Sequence, residues 1–259
     1  MPELPEVEAY RSLAEGAIGR LIDDAVATDV RFVRGRADPH VLCDTLVGAK
    51  FVAARRHGKL LVLDVEGGAH LGVRFGMTGR LVLDGTVGVD RLVYSSDRIE
   101  PAWDRFVVSF DDGGQLIVRD PRLLGGVELD PDEAALGPDA LMLTPAQLRA
   151  ALASSVAVKA RLMDQRRLAG VGNLIADEVL WRAGLAPERR AGSLSPAELR
   201  RLHRHLRATL DDLVARGGSH TGDLMAERRL DGHCPRDGAL LIRTRIGGRT
   251  SWWCPRHQH

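Results

Sequence analysis

The hydrophobic pattern changes its period partway along the chain, and this change limits the folds that the 259 residues can adopt. Between about residues 48 and 129, short segments rich in valine, leucine and isoleucine are separated by glycine and aspartate, as is typical of β-strands. From residue 145 onward, apolar residues recur at helical spacing. The pattern therefore predicts an α+β chain in which a β-rich domain precedes a helical one, each long enough to bury its own core.

The β-rich part is predicted to be a β-sandwich with flanking helices. A leading helix is expected over residues 5–18, because Pro5 suits the first helical position and Glu6 lies in the first turn. The run 111-DDGG-114 lies between two apolar segments and is a hairpin signal. The predicted strands include residues 60–65, 80–83, 106–110 and 115–119.

Prolines punctuate an acidic stretch, residues 131–149, which we interpret as a linker after an N-terminal domain of residues 1–130. A helical domain over residues 150–217 and a hairpin motif over residues 218–259 are expected to follow. The longest predicted helix opens with a capping-box sequence that begins at Ser195. The predicted helices cover residues 145–153, 158–166, 173–183 and 195–215, and the hairpin strands cover residues 239–245 and 250–254.

Charge is unevenly distributed along the chain. Residues 1–150 contain 17 basic and 24 acidic residues, a balance of −7, whereas residues 151–259 contain 19 and 11, a balance of +8. Phosphate neutralisation supplies most of the non-specific affinity for DNA, so the C-terminal half is predicted to face a polyanion. Chance segregation of surface charge is the alternative, in which the four arginines on one face of the longest helix are simply solvated.

Several classes of protein are disfavoured. No apolar run approaches the roughly 18 to 20 residues that a membrane span needs. The N-terminus is acidic and does not resemble a secretory signal. Two of the three cysteines lie within the last 26 residues, which favours metal binding over a disulfide framework. A cytoplasmic monomer with no membrane association is expected.

The second residue is a candidate nucleophile. A small residue such as proline normally allows the initiator methionine to be removed, which would expose Pro2 as a secondary amine. An α-amino group has a pKa of about 8, so a useful fraction is unprotonated at neutral pH. Such an amine can attack an electrophilic sugar carbon and form an iminium, as lysine does in Schiff bases. Glu3 and Glu6 could donate and accept protons as the sugar ring opens.

Six segments, in order along the chain, resemble the formamidopyrimidine-DNA glycosylase/endonuclease VIII family. The start, 1-MPELPEVE-8, is similar to the signature start of that family. Residues 159–187 resemble its helix-two-turn-helix, and the tail resembles its zinc-finger hairpin. The other three similar segments are 57-HGKLLVLDV-65, 75-FGMTGRL-81 and 119-RDPRLLGG-126.

The resemblance implies a bifunctional DNA glycosylase and abasic-site lyase of base excision repair. Its partner would be double-stranded DNA with a damaged or abasic nucleotide. Pro2 would form a Schiff base with the sugar, assisted by Glu3 and Glu6, and strand cleavage by β,δ-elimination would follow. Lys59 would reach the phosphate in the active site.

The resemblance also implies side chains that grip the DNA. A glycosylase takes its target nucleotide out of the duplex, at a cost of a few kcal/mol in stacking and pairing. Met77, Arg122 and Leu124 would fill the vacated space. Asn173 would contact phosphate at a glycine-preceded helix start, where backbone N–H groups are exposed. Arg249, at the hairpin turn, would hold a phosphate bidentately.

The predicted metal site keeps the spacing of the family pattern, C-x2-C-x16-C-x2-C, but changes two ligands. Zinc accepts sulfur, imidazole and carboxylate ligands, so one structural zinc per chain is predicted. A neighbouring histidine, His233 or His259, could replace one ligand. In the alternative interpretation the hairpin lacks metal and is stabilised by its tryptophans and by aliphatic packing. The four candidate ligands are Cys234, Asp237, Cys254 and His257.

The substrate is the most open question. Only fifteen residues separate Gly218 from Cys234, whereas purine-specific relatives carry a longer loop there. Leu124 is also smaller than the aromatic residue that the family uses. Two alternatives to an oxidised-base glycosylase follow: a DNA-damage-binding protein with reduced catalysis, and a glycosylase specialised for pyrimidine or bulky, crosslinked lesions.

Overall fold

The predicted change from strands to helices is confirmed in the computed structural model, which describes residues 2–93, 95–96 and 98–259. The chain divides into an N-terminal unit, Met1–Glu133, and a C-terminal unit, Ala134–His259. Strands dominate the first unit, whereas helices and one β-hairpin form the second. In the described part of the chain, no helix is long and apolar enough to cross a membrane.

Two antiparallel sheets form the framework of the N-terminal unit. Its strands are β1 (Ile22–Ala27), β2 (Phe51–His57), β3 (Leu60–Val65), β4 (His70–Arg74), β5 (Arg80–Leu83), β6 (Thr86–Val87), β7 (Asp104–Phe110), β8 (Gln115–Arg119) and β9 (Gly126–Leu129). One sheet has the order β1-β7-β8-β5-β6, and the other has the order β2-β3-β4-β9. The predicted hairpin is the antiparallel pair β7 and β8.

One hydrophobic core joins the two sheets to two helices, α1 (Leu4–Ala14) and α2 (Pro39–Leu46). Helix α1 packs against β2, β3 and β5, and α2 packs against β1. Val7 and Tyr10 of α1 are fully buried in this core. The catalytic candidates at the start of α1 are therefore supported by the core of the sandwich.

The differences from the predicted elements have local causes. The leading helix ends at Ala14 and continues only as a 3-10 turn, Glu15–Ala17, because glycines at 16 and 19 are poor helix formers. Strand β1 was not predicted, since its sequence IDDAVA contains two aspartates and buries only one face. Helix α2 was also missed, although Asp38 accepts a hydrogen bond from the N–H of His40 as its N-cap.

In the C-terminal unit the helices are α3 (Pro145–Leu152), α4 (Val158–Leu162), α5 (Asn173–Ala183) and α6 (Pro196–Ala215), and the hairpin strands are β10 (Ile242–Ile246) and β11 (Arg249–Trp253). Helix α4 is shorter than predicted, because the Asp164 carboxylate accepts the N–H of Arg166 in the turn that follows it. The predicted capping box at Ser195 is confirmed. Glu198 of that box also binds Arg189, whose hydrogen bond lowers the pKa of Glu198 to about 2.

Candidate active site and DNA interface

The two glutamates that follow Pro2 cap helix α1. The Glu3 carboxylate accepts the backbone N–H of Glu6, and Glu6 Oε2 accepts the N–H of Glu3 at 2.8 Å. Glu3 and Glu6 are 0% and 1% exposed, and Pro2 is buried as well. The positive end of the helix dipole stabilises carboxylates at this position. Pro2 therefore directly precedes a buried, reciprocally hydrogen-bonded pair of glutamates.

Lys59 lies in the tight turn between β2 and β3, where Gly58 has a φ of +60°. Arg56 connects this turn to α1, since its guanidinium donates to Glu8 Oε2 at 2.8 Å and to the Gly58 carbonyl at 3.2 Å. Burial raises the pKa of Glu8, but the hydrogen bonds from Arg56 and Arg11 outweigh it and leave the pKa below its ordinary value. Glu8 is therefore ionised near neutral pH and ties the Lys59 turn to the helix that follows Pro2.

The three candidate void-filling residues lie on two loops of the N-terminal unit. Met77 belongs to the loop between β4 and β5, whereas Arg122 and Leu124 belong to the loop between β8 and β9. The structure brings these loops together, because a Cβ added to Gly76 would lie 2.5 Å from the carbonyl carbon of Leu124. Arg122 and Leu124 are exposed, and Met77 is partly exposed.

Tyr10 connects the Met77 loop to α1. Its hydroxyl donates to the carbonyl of Gly79 at 3.2 Å, and its ring lies 4.4 Å from that of Phe75. Burial raises the pKa of Tyr10 far above its ordinary value, so the hydroxyl remains a hydrogen-bond donor. The loop that carries Met77 is thereby anchored to the helix that carries the catalytic candidates.

Asn173 is the first residue of α5, directly after the N-cap Gly172. The loop before it is held by Gln165, whose amide accepts the N–H of Gly170 at 3.0 Å and donates to the Val171 carbonyl at 2.8 Å. Asn173 Oδ1 is buried without a hydrogen-bond partner among the described residues. This oxygen is an acceptor, so any anion at this helix N-terminus would bind the backbone N–H groups and the Nδ2 amine of Asn173 instead. Sequence reasoning missed Gln165, which carries no local signal of this role.

Arg249 is placed at the tip of the β10–β11 hairpin, as predicted from sequence. It follows Gly247 and Gly248, whose φ values of +55° and +75° suit the tight two-residue turn. The side chain of Arg249 is exposed, and the described part of the structure gives it no acidic partner. An uncompensated guanidinium at a turn is available for phosphate.

A buried carboxylate, Asp177 of α5, fastens the hairpin to the helices. Its oxygens accept the Ser251 hydroxyl at 2.8 Å and the Trp252 N–H at 3.1 Å. Lys159 Nζ lies 2.7 Å from Asp177 Oδ1, and Arg228 also pairs with this carboxylate. Sequence reasoning gave Lys159 no catalytic role and missed Asp177. The available signal was a pair of acids, Asp177 and Glu178, within the otherwise apolar run 174-LIADEVLW-181.

The four predicted metal ligands come together in the structure. One ligand atom from each of Cys234, Asp237, Cys254 and His257 lies within 4.8 Å of the others, so the cluster could hold a metal ion. His257 Nε2 faces the Trp181 carbonyl at 3.2 Å, which leaves Nδ1 directed at the cluster. Within the described residues, His233 and His259 are not members of this group.

Two family profiles match the chain. The formamidopyrimidine-DNA glycosylase N-terminal domain matches residues 1–127, and the formamidopyrimidine-DNA glycosylase H2TH domain matches residues 136–224. The formamidopyrimidine-DNA glycosylase of Paracoccus denitrificans is 36% identical and that of Geobacillus kaustophilus is 32% identical. The alignments cover 98% of this chain and 99% of the first relative, and 100% of this chain and of the second.

The fold is also similar to those of solved protein–DNA complexes. The Lactococcus lactis Fpg bound to abasic-site DNA superposes with a TM-score of 0.85 at 27% identity, covering 100% of both chains. The same protein bound to Fapy-dG DNA gives a TM-score of 0.84 at 27% identity, covering 99% of this chain and 100% of that one. The chain therefore belongs to the formamidopyrimidine-DNA glycosylase family.

Replacing the central carboxylate, Asp177→Asn, is expected to detach the hairpin, because it leaves two buried cations without their counter-charge. The expected loss of stability in the C-terminal unit is about 3–5 kcal/mol. Hydrogen exchange of the β11 amides and thermal unfolding measure it. Asp211→Asn, an exposed change on α6, is the matched control. Unchanged protection of the β11 amides in the Asp177 variant would contradict this role.

Proposed function

We propose that the protein is a bifunctional DNA glycosylase and abasic-site lyase of base excision repair. The observation that carries the proposal is the start of α1, where Pro2 lies beside the buried carboxylates of Glu3 and Glu6. Membership of the formamidopyrimidine-DNA glycosylase family, with matches across both units, supports the same conclusion.

In the proposed reaction, removal of Met1 exposes the secondary amine of Pro2. The amine attacks C1′ of the damaged nucleotide, and the bond from C1′ to the base breaks as the base leaves with a proton. Glu3 protonates the ring oxygen so that the sugar opens to an iminium, with Glu6 as its hydrogen-bonded partner. Successive β- and δ-eliminations release the two phosphates, and water hydrolyses the iminium to restore the amine.

The remaining candidates bind DNA in this proposal. Lys59 holds the phosphate at the reacting nucleotide, while Asn173 and Arg249 contact phosphates from the C-terminal unit. Met77, Arg122 and Leu124 occupy the space left by the everted nucleotide. The net positive charge of the C-terminal unit provides the non-specific attraction to the DNA duplex.

The nucleophile is tested by sodium borohydride trapping on a duplex with an abasic site. The unmodified protein is expected to form a covalent complex that maps to Pro2 by mass spectrometry. Pro2→Leu is expected to form none, because a bulky second residue prevents removal of Met1. Glu3→Gln keeps the cap acceptor and is expected to slow base excision by about 10²–10⁴-fold.

Glu15→Gln, an exposed change at the end of α1, is the matched control and should leave both readouts unchanged. A trapped complex that persists in Pro2→Leu, or that maps to a lysine, would refute the proposed nucleophile. Binding of the duplex without any nicking by the unmodified protein would instead favour the alternative of a damage-binding protein with reduced catalysis.

A second candidate, a glycosylase for pyrimidine or bulky lesions, is favoured by the segment between α6 and the hairpin. Leu224 in this segment is fully buried, and its N–H and that of Asp223 donate to the Glu178 carboxylate at 2.9 and 3.1 Å. The segment is thus tied down on α5. The alignment with the Paracoccus relative spans 283 positions, more than the 259 of this chain, so that relative has residues that this chain lacks.

The two substrate classes are separated by single-turnover excision on matched duplexes carrying an oxidised purine, an oxidised pyrimidine or a bulky adduct. If the tied-down segment cannot cover a base, the oxidised purine is expected to be excised no faster than the other two. A preformed abasic site is the control, since nicking there requires no base recognition. Excision of the oxidised purine at least tenfold faster than the others would refute the second candidate.

We further propose that the Cys234–Asp237–Cys254–His257 cluster binds one structural zinc ion. Two thiolates, an imidazole and a carboxylate form an acceptable tetrahedral donor set. The Trp181 carbonyl next to His257 Nε2 supports the ring orientation that a metal-bound histidine needs. When bound, the ion would crosslink the two ends of the hairpin and would take no part in the reaction.

Metal analysis of the purified protein tests this site. About one zinc per chain is expected, with none in Asp237→Ala, because three ligands hold a structural ion poorly. Asp237→Cys is expected to bind zinc more tightly, since thiolate is the softer ligand. Asp211→Ala on α6 is the control and should keep its metal. A metal-free unmodified protein would refute the site and favour a hairpin held by packing alone.

A further inference from the structure

The strongest unassigned feature is a buried carboxylate, Asp120, at the end of β8. Its side chain is 0% exposed and accepts four hydrogen bonds, two on each oxygen. The Thr78 hydroxyl and the N–H of Arg122 donate to Oδ1 at 2.5 and 3.1 Å. The N–H groups of Leu124 and Gly125 donate to Oδ2 at 2.9 and 2.8 Å. These four donors satisfy both oxygens and so offset the cost of burying the side chain.

The four donors belong to two different loops. Three come from the loop that carries Arg122 and Leu124, and the fourth, Thr78, is the residue next to Met77. The Thr78 hydroxyl therefore connects the Met77 loop to the Arg122–Leu124 loop through the Asp120 carboxylate. The backbones already leave no room between them, since a Cβ added to Gly76 would lie 2.5 Å from the carbonyl carbon of Leu124.

The backbone of Asp120 is itself held at the start of β7. Its N–H donates to the Trp103 carbonyl at 2.8 Å, and its carbonyl accepts the Arg105 guanidinium at 2.8 Å. The position of the carboxylate is thus fixed, and both loops are hydrogen-bonded to it. Leu123, in the Arg122–Leu124 loop, has a φ of +52°, a strained value for a side chain branched at Cγ. The bonds to its neighbours on either side hold that turn in place.

We propose that Asp120 is a positioning residue that, through Thr78, makes the Met77 loop and the Arg122–Leu124 loop into one rigid unit. This inference rests on the proposed function, in which these three side chains enter the space left by an everted nucleotide. Long flexible side chains lose rotamer freedom when they insert, so loops that are already fixed lower the entropy lost at that step. Because the two loops share one carboxylate, the three side chains insert together.

Stopped-flow fluorescence tests the inference on a duplex with 2-aminopurine opposite a tetrahydrofuran abasic analogue, which cannot be cleaved. The unmodified protein is expected to give a concentration-dependent binding phase and then a slower insertion phase. Thr78→Val removes the hydroxyl but keeps the shape, and should slow insertion about tenfold, the usual effect of losing a hydrogen bond to a charged group. Thr78→Ser restores the donor and should return the rate to within about twofold of the original.

Asp120→Asn provides the second variant, because an amide cannot accept hydrogen bonds from all four donors. The binding phase of Thr78→Val should match that of Thr78→Ser, while the lost hydrogen bond lowers its melting temperature. If Thr78→Val leaves insertion unchanged, or slows binding and insertion equally, the positioning role is wrong and the carboxylate only supports the fold. Nicking of a natural abasic site by the unmodified protein reports on the proposed function separately. Its absence would refute that function while leaving the insertion measurement valid.

Discussion

Carboxylates buried in the protein interior are the constraint on which both units of this structure depend. A carboxylate removed from water must be surrounded by donors, or its burial costs several kcal/mol. Asp120 meets this requirement with donors from two loops of the N-terminal unit. Asp177 does so with donors from α4, from the segment between α6 and the hairpin, and from the hairpin itself. Because the donors come from separate segments, each carboxylate fixes the distance between parts of the chain that are far apart in sequence.

This arrangement suits a protein whose candidate functional side chains lie mainly on turns. Met77, Arg122, Leu124 and Arg249 are on loops or at a hairpin tip, where backbone order depends on hydrogen bonds to something rigid. The start of α1 is ordered in the same way. Glu3 and Glu6, which follow Pro2, accept hydrogen bonds from backbone N–H groups at the helix N-terminus. In the hairpin, Asp177 binds Ser251 and Trp252, which are not among the candidate metal ligands, so the proposed metal is not the only link to the helices.

The sequence predicted most elements that have strong local signals. The capping box at Ser195, the strand pairs around 111-DDGG-114 and the spacing of the four candidate metal ligands can all be recognised from residues close together in the chain. Strand β1 and helix α2 were missed, because aspartates interrupt the apolar pattern of the strand and the helix is short. The boundary of α4 was wrong because Asp164 forms a local turn that periodicity does not reveal.

The sequence by itself determined the order of β-rich and helical units, the family, and the positions of the candidate nucleophile, DNA-contacting residues and metal ligands. These depend on periodicity, spacing and motifs, which are properties of neighbouring residues. Only the tertiary structure decided which polar residues hold those positions in place. Asp120 meets Thr78 across 42 residues and Asp177 meets Ser251 across 74, so neither partner can be read from the local sequence. A buried charge requires donors, but only the folded backbone determines which segments supply them.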